Sequence, residues 1–193
     1  MGMKLSARLL ATMLLTIPAV LISCSTTPSS ESTEAPSAAA ETNVTPRATA
    51  ELKDGTGKSV GTATFTADGT SVLLTASFEG LPAGEHAIHI HQTGACDAPD
   101  FKTAGGHFNP EGKQHGLDNP MGSHAGDMPN FTVDSDGKAS IENRKLSASL
   151  NQDSPDYLLK SGGTALVVHA GADDQKTDPS GDAGARIACG VIH

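Results

Sequence analysis

Short runs of alternating or β-branched residues, separated by strong turn signals, recur along most of this chain. The run VGTATFT (residues 60–66), for example, is followed by the turn dipeptide Asp68-Gly69. Further runs of this kind cover residues 71–78, 86–91, 130–133, 139–146 and 165–169. Strands at this spacing are typical of a β-sandwich or barrel. No segment keeps a helical period over three turns, so the sequence predicts an all-β fold.

The composition agrees with a turn-rich scaffold, and the net charge argues against nucleic acid as a general partner. The chain has 193 residues, with 21 glycines, one tyrosine and no tryptophan, and 37% of its residues are hydrophobic. Such a composition favours a compact domain with many turns over a large helical core. The formal net charge of −9 at pH 7 makes a general affinity for nucleic acid unfavourable.

The N-terminus has the features of an export signal. Lys4 and Arg8 precede an apolar run at residues 9–22, which is too short for a comfortable membrane span. The run ends in LISC (residues 21–24), which resembles a bacterial lipobox, in which Cys24 is lipidated and becomes the first residue of the exported protein. The alternative is an ordinary signal peptide with a chance cysteine. We therefore expect a signal peptide at residues 1–23 and a protein of the bacterial cell envelope, anchored to a membrane through its lipid on the periplasmic or surface side.

Residues 24–48 are expected to form a flexible tether that begins with the lipidated cysteine. The segment is rich in Ser, Thr, Pro and Ala, has no aromatic residue and contains one branched aliphatic residue, Val44. It cannot bury enough apolar surface to offset the entropy that ordering would cost. The folded domain is therefore predicted at residues 49–193.

One long segment interrupts the regular spacing of strands. Residues 92–129 are rich in Gly, Pro, Asn and Asp and show no clear strand or helix. A loop of that length inside a compact domain is usually functional or disordered. This one holds His107, His115, His124 and Asp127, which is not a disordered composition. The sequence predicts that bound metal holds the loop in place.

The histidines are concentrated around the start of this loop. Six of the eight in the chain lie between His86 and His124. His89 and His91 are two residues apart and therefore project from one face of a strand. With His107 and His169 they can supply four nitrogen donors, a set that suits Cu(II). Two further nitrogens and a carboxylate are available in the long loop and, with one more histidine, would make a closed site for structural zinc; they belong to His115, His124 and Asp127.

The order of the motifs resembles that of the copper/zinc superoxide dismutases, in particular the bacterial branch of the family. The matching segments are HIHQTGAC, GGHFNP, KQHG, HAGDMPN, VVHAGADD and GDAGARIACGVI. The resemblance covers residues 49–193 and implies a Greek-key β-sandwich or flattened barrel with a long metal-binding loop. The sequence departs from the family pattern at Ala87 and Ile88, where Gly-Phe is usual. Because the phenylalanine is missing, we expect a smaller core contact at this position.

The resemblance implies one copper and one zinc per chain and assigns their ligands. Copper would be held by His89, His91, His107 and His169. Zinc would be held by His107, His115, His124 and Asp127, so that His107 bridges the two metals. Asp173 would link a copper histidine to a zinc histidine, namely His89 and His115, and fix the orientation of their rings.

The family pattern also assigns roles to Arg186, Cys96, Cys189 and His86. Arg186 would stand beside the copper and attract the substrate anion, so that His107 and Arg186 are the catalytic residues. Cys96 and Cys189 would form an intrachain disulfide. His86 would be a backbone anchor. Apart from the family pattern, His193 is expected to be a solvated terminus, and Lys176 either adds positive charge near the site or is an ordinary exposed loop lysine.

The implied activity is the conversion of superoxide to O₂ and H₂O₂ by a copper ion that changes oxidation state. Two alternatives remain open. One is a copper-binding or copper-delivery lipoprotein without dismutase turnover, and the other is an interaction module on the same fold. The resemblance allows a homodimer as well as a monomer.

Overall fold

The computed structural model describes residues 45–193, whose regular structure is almost entirely β-strand. A single 3₁₀ turn at Lys102–Ala104 is the helical element of this part of the chain. Within it no helix has the length and apolar character needed to cross a membrane. The nine strands are β1 (Arg47–Asp54), β2 (Ser59–Asp68), β3 (Ser71–Glu79), β4 (Gly84–His86), β5 (Ile88–His91), β6 (Phe131–Val133), β7 (Lys138–Leu146), β8 (Thr164–His169) and β9 (Arg186–Ile192).

The strands form a curled antiparallel sheet. Seven of them pair in the order β5-β8-β9-β1-β2-β3-β7, and β4 pairs with β6 in a separate short ladder. Because β4 leads directly into β5 and β6 contacts β7, this ladder lies between the two edges of the large sheet. The connection from β7 to β8 passes from one edge strand to the strand next to the opposite edge, a Greek-key crossover. The all-β, flattened-barrel prediction is confirmed.

Alternating residues of the strands build the core. Val72, Leu74, Ala76 and Phe78 of β3 are all buried, while the residues between them are more exposed. Phe78 packs on Phe131 of β6 with ring centroids 4.9 Å apart. The inward face of each strand is therefore its apolar face, as a period of two requires.

Two strands, β1 and β9, were not among the runs predicted from local pattern. β1 (RATAELKD) begins at Arg47 and buries only Ala48, Ala50 and Leu52. Its small and polar residues have little intrinsic preference for a strand. Pairing with β2 along its length and with β9 at its end gives it that conformation. The predicted strand at 86–91 is divided at Ala87 into β4 and β5.

β5 and β8 are buried on both faces. The element that covers their outer face determines where the histidines of β5 lie. Ile88 and Ile90 of β5, with Leu166 and Val168 of β8, belong to the main core. The opposite face of β8 carries Ala165 and Val167, which pack in a second cluster with Phe101 and Ala104 of the long loop and with Cys189. The long loop therefore covers the outer face of the barrel, the face from which His89 and His91 project.

Candidate metal centre

Four histidines meet where the long loop crosses the outer face of β5. His89 and His91 are at most 1% exposed. His107 forms a β-bridge with His91, and His169 lies at the end of β8, the strand paired with β5. One ring nitrogen from each of the four lies within 4.8 Å of the others. We call this set the four-histidine cluster.

Hydrogen bonds fix the orientation of these rings. Nδ1–H of His91 donates to the Gly105 carbonyl at 2.9 Å, and Nδ1–H of His169 donates to the Gly184 carbonyl at 3.2 Å. The Nε2 atoms of these two rings then face each other at 3.3 Å. Each ring thus turns an unprotonated nitrogen toward the centre of the cluster, as metal-ligating histidines do.

Two buried nitrogens in the cluster are left without a partner among the described residues: Nδ1 of His89 and Nε2 of His107. A buried polar atom without a hydrogen bond carries its full desolvation penalty. A metal ion coordinated by one nitrogen from each of the four rings would satisfy both atoms, so this site fits copper.

A second cluster is built inside the long loop. Oδ1 of Asp127 lies 2.9 Å from Nδ1 of His107, 3.0 Å from Nδ1 of His115 and 3.2 Å from Nδ1 of His124. The other carboxylate oxygen, Oδ2, accepts the backbone N–H groups of Gly116 and His124 at 2.9 and 3.0 Å. Three nitrogens and one oxygen therefore converge on a common centre, a donor set suited to zinc. We call this set the Asp127 cluster.

Two groups connect the clusters. His107 belongs to both, with Nδ1 in the Asp127 cluster and Nε2 in the four-histidine cluster. Asp173 accepts Nε2–H of His89 at 2.7 Å on one oxygen and Nε2–H of His115 at 3.0 Å on the other. Burial by itself would raise the pKa of the Asp173 carboxyl, but hydrogen bonds from His115 and His89 hold it well below its ordinary value. Asp173 is therefore an anionic tie between one ring of each cluster.

The electrostatics of the four-histidine cluster favour neutral rings. Burial, reinforced by the neighbouring imidazoles, lowers the pKa of His91 to about 2 and that of His169 to about 3. Burial also lowers the pKa of His107 to about 4, although Asp127 opposes the shift. At neutral pH these rings keep the lone pairs that a metal needs.

His115 behaves in the opposite way. Burial would lower its pKa, but hydrogen bonds to Asp127 and Asp173 outweigh that effect and raise the pKa to about 9. The two carboxylates therefore favour a proton on this ring. A divalent ion in the Asp127 cluster would replace this proton with a larger positive charge.

A cavity of about 510 Å³ opens onto the clusters. His91, His107 and His169 lie in its wall, together with the half-buried Arg186. The guanidinium of Arg186 donates to the carbonyls of Phe101 and Gly105 at 2.7 and 2.6 Å. These bonds use two of its five N–H donors. The cavity can therefore admit a small anion between a fixed positive charge and the histidine rings.

Of the charged residues around the cavity, Arg186 was predicted from the sequence, whereas Lys113 and Asp178 were not. Lys176, considered as a source of positive charge, is not among the lining residues, whereas Lys113 is. Asp178, also in the wall, accepts the backbone N–H of His115 at 2.7 Å. Lys113 lies two residues before His115 in the predicted metal loop. This proximity in sequence is the one feature that could have indicated its place at the cavity wall.

The disulfide pairing is confirmed and ties the loop to the barrel. Cys96 and Cys189 are bonded, with their Cα atoms 5.6 Å apart. Cys189 is on β9 three residues after Arg186, and Cys96 is on the loop segment that supplies the Phe101 and Gly105 carbonyls. The bond therefore anchors the segment that orients Arg186. Cys24, the predicted lipidation site, lies outside the described residues, as does most of the predicted tether.

Ala87 and Ile88, which stand where the family usually has Gly-Phe, are accommodated with regular backbone hydrogen bonds. Both residues are fully buried, and Ile88 is part of the main core. The Ala87 N–H donates to the Gly171 carbonyl, and its carbonyl accepts the N–H of His169. Next to them, both ring nitrogens of His86 lie 2.8 Å from backbone carbonyls, so His86 is an anchor and not a ligand.

Comparisons with known proteins give the family. The family model described as copper/zinc superoxide dismutase matches residues 59–192. Superoxide dismutase [Cu-Zn] 2 of Aquifex aeolicus is 48% identical over 147 residues, which span 76% of this chain and 86% of that protein. Superoxide dismutase [Cu-Zn] of Caulobacter vibrioides is 45% identical over 147 residues, with 75% and 84% covered.

A solved structure shares the same fold. The crystal structure of a SOD-like protein from Bacillus subtilis superposes with a TM-score of 0.70 at 39% identity, and it covers 75% of this chain and 97% of that one. A chain that carries the family pattern from residue 59 to residue 192, at nearly half identity to a named enzyme, belongs to the copper/zinc superoxide dismutases, oxidoreductases that use copper and zinc.

Proposed function

We propose that this protein converts two superoxide anions and two protons into O₂ and H₂O₂. Copper is held by the four-histidine cluster and zinc by the Asp127 cluster. The observation that carries the proposal is the complete pair of clusters sharing His107, whose Nδ1 and Nε2 point to different centres. When bound, copper supplies a one-electron couple between Cu(II) and Cu(I), whereas zinc has no redox chemistry.

Individual residues of the chain bind the substrate, transfer a proton and keep the metal ligands in position. Arg186, at the cavity wall, provides a fixed cation with N–H donors for the incoming anion. Nε2 of His107 is the atom that takes up a proton and passes it to the reduced product. Asp173 keeps the rings of His89 and His115 in place through both turnover steps. The Asp127 cluster orders the loop that forms the cavity.

The direct test is superoxide turnover per bound copper, measured by pulse radiolysis on protein loaded with both metals. Arg186→Ala should lower kcat/KM at least tenfold, which corresponds to about 1.4 kcal/mol, while the metal content remains normal. Arg186→Lys keeps the charge but cannot hold both carbonyls, so an intermediate rate is expected. The exposed Arg47 offers a matched control, since Arg47→Ala should leave the rate unchanged.

Two outcomes would count against these assignments. A wild-type protein that binds both metals without turning over superoxide would contradict the activity. Full turnover in metal-loaded Arg186→Ala would contradict the role of Arg186 alone.

A copper-binding or copper-delivery protein without turnover is the second candidate. The similarity to a protein described only as SOD-like is the observation in its favour. A carrier would need the imidazoles but would have no use for an arginine aimed at the cavity or for a complete zinc set. The presence of both favours the enzyme.

We also propose that the protein is exported and anchored by a lipid on Cys24. The basic start, the apolar run and Cys24 support this, as does a disulfide, which persists in oxidising compartments. Wild-type protein should fractionate with membranes, and Cys24→Ala should release or misprocess it, as fractionation and mass spectrometry would show. Wild-type protein recovered wholly in the soluble fraction and cleaved elsewhere would contradict the anchor.

A further inference from the structure

Arg144 on β7 is a half-buried cation that reaches toward the metal-bearing part of the molecule. Its Nη1 donates to the Pro129 carbonyl at 2.6 Å, and its Nη2 lies 3.4 Å from the Asn130 carbonyl. Burial lowers the pKa of its guanidinium from the ordinary value. The two carbonyls belong to the segment between Asp127, a ligand of the Asp127 cluster, and β6.

A β-bulge directs this side chain inward. Ile141 pairs with Ala76 and Arg144 with Leu74, so that Glu142 and Asn143 together oppose the single residue Thr75. Asn143 has a φ of 47° and its N–H donates to Oγ1 of Thr75 at 3.3 Å. The extra residue shifts the alternation, so Arg144 turns inward with Leu146 while Asn143 and Lys145 are exposed.

The segment held by Arg144 in turn holds Asp173. The side-chain amide of Asn130 donates to the Asp173 carbonyl at 2.9 Å, and Oδ1 of Asn130 accepts the Asp173 N–H at 2.9 Å. These two bonds clamp the backbone of the residue whose carboxylate ties His89 to His115. A continuous path of hydrogen bonds therefore runs from β7 through Asn130 to a ring of each cluster.

We infer that Arg144 and Asn130 are positioning residues for the metal centre and act through Asp173. Arg144 suits this role because its planar fork can hold two successive carbonyls, which a lysine cannot do. Loss of either residue leaves all ligands present but allows Asp173, and with it the rings of His89 and His115, to shift. This inference rests on the metal assignments of the proposed function.

The test uses the full protein loaded with copper and zinc. Zinc release to a chromogenic chelator should be about ten times faster in Arg144→Met and in Asn130→Ala, the lower end of what a supporting partner contributes at metal sites. Arg144→Lys should recover part of the loss. The Cu(II) EPR spectrum should change in the same variants because the orientation of His89 depends on Asp173. The double variant of Arg144→Met and Asn130→Ala should release zinc little faster than either single one, since both lie on one path.

Leu146→Ala is the matched control. Leu146 is on the same face of β7 and belongs to the main core, but has no hydrogen bond to residues 129–130. It should lower the melting temperature without altering the EPR spectrum, and its zinc release should stay near the wild-type rate. Unchanged release and spectrum in Arg144→Met and Asn130→Ala would overturn the inference, as would equal changes in Leu146→Ala. Failure of the wild-type protein to bind zinc would instead overturn the metal assignment itself.

Discussion

Replacing His107 with alanine should produce the largest loss of function of any single substitution in this protein. The residue lends one nitrogen to each cluster, so its loss removes a ligand from both. Three donors would remain in each cluster, and both metals should still bind, but with affinities lower by roughly 100-fold or more, at least the upper end of what losing a supporting partner costs. Superoxide turnover per bound copper should fall strongly because the proton carried by Nε2 of His107 is also lost. Stopped-flow or pulse-radiolysis rates across pH, normalised to copper content, would measure this.

The EPR spectrum of Cu(II) in His107→Ala should respond much less than in wild type to whether the zinc site is filled, because only the tie through Asp173 remains. His193→Ala provides the control, since this exposed C-terminal histidine lies outside both clusters. It should match wild type in metal content, spectrum and rate. Full turnover of His107→Ala with both metals bound and an unaltered copper spectrum would show that His107 does not join the two sites.

Removing the disulfide should have the largest effect on stability. The bond joins residues separated by 93 positions, and closing a loop of that length is worth roughly 4–5 kcal/mol in the chain-entropy model. The double variant Cys96→Ser, Cys189→Ser should therefore lose about this much free energy of unfolding, measured by urea denaturation of the metal-free protein. Proteolysis within residues 92–129 should also become faster, because the loop loses its covalent attachment to β9.

The same variant should turn over superoxide more slowly even when loaded with metal. The freed segment carries the Gly105 carbonyl, which holds both Arg186 and the ring of His91. Ser71→Ala, on the solvent side of β3, is a control that leaves the disulfide intact and should not change the rate. Mass mapping that finds both thiols free in exported wild-type protein, or unchanged stability on reduction, would contradict this prediction.

The local pattern of the chain was sufficient for most strands and for the grouping of ligands. A period of two places His89 and His91 on one face of β5 wherever that strand lies, and the same rule separates Val72 and Leu74 from their exposed neighbours. The length and composition of residues 92–129 marked a functional loop. The order of the motifs then identified the family. Motif order can be read from the sequence without any knowledge of the fold.

The tertiary structure decided the features that depend on distant contacts. β1 is a strand because β2 and β9 pair with it, and its own residues gave little signal. Which nitrogen of each ring faces a metal depends on acceptors such as Asp173, which is 84 residues from His89. The inward turn of Arg144 depends on one extra residue opposite Thr75, which alternation along β7 could not indicate. Spacing determines the face of a strand because backbone geometry is local, whereas ring orientation and bulges are set by hydrogen bonds between segments that meet only in the folded chain.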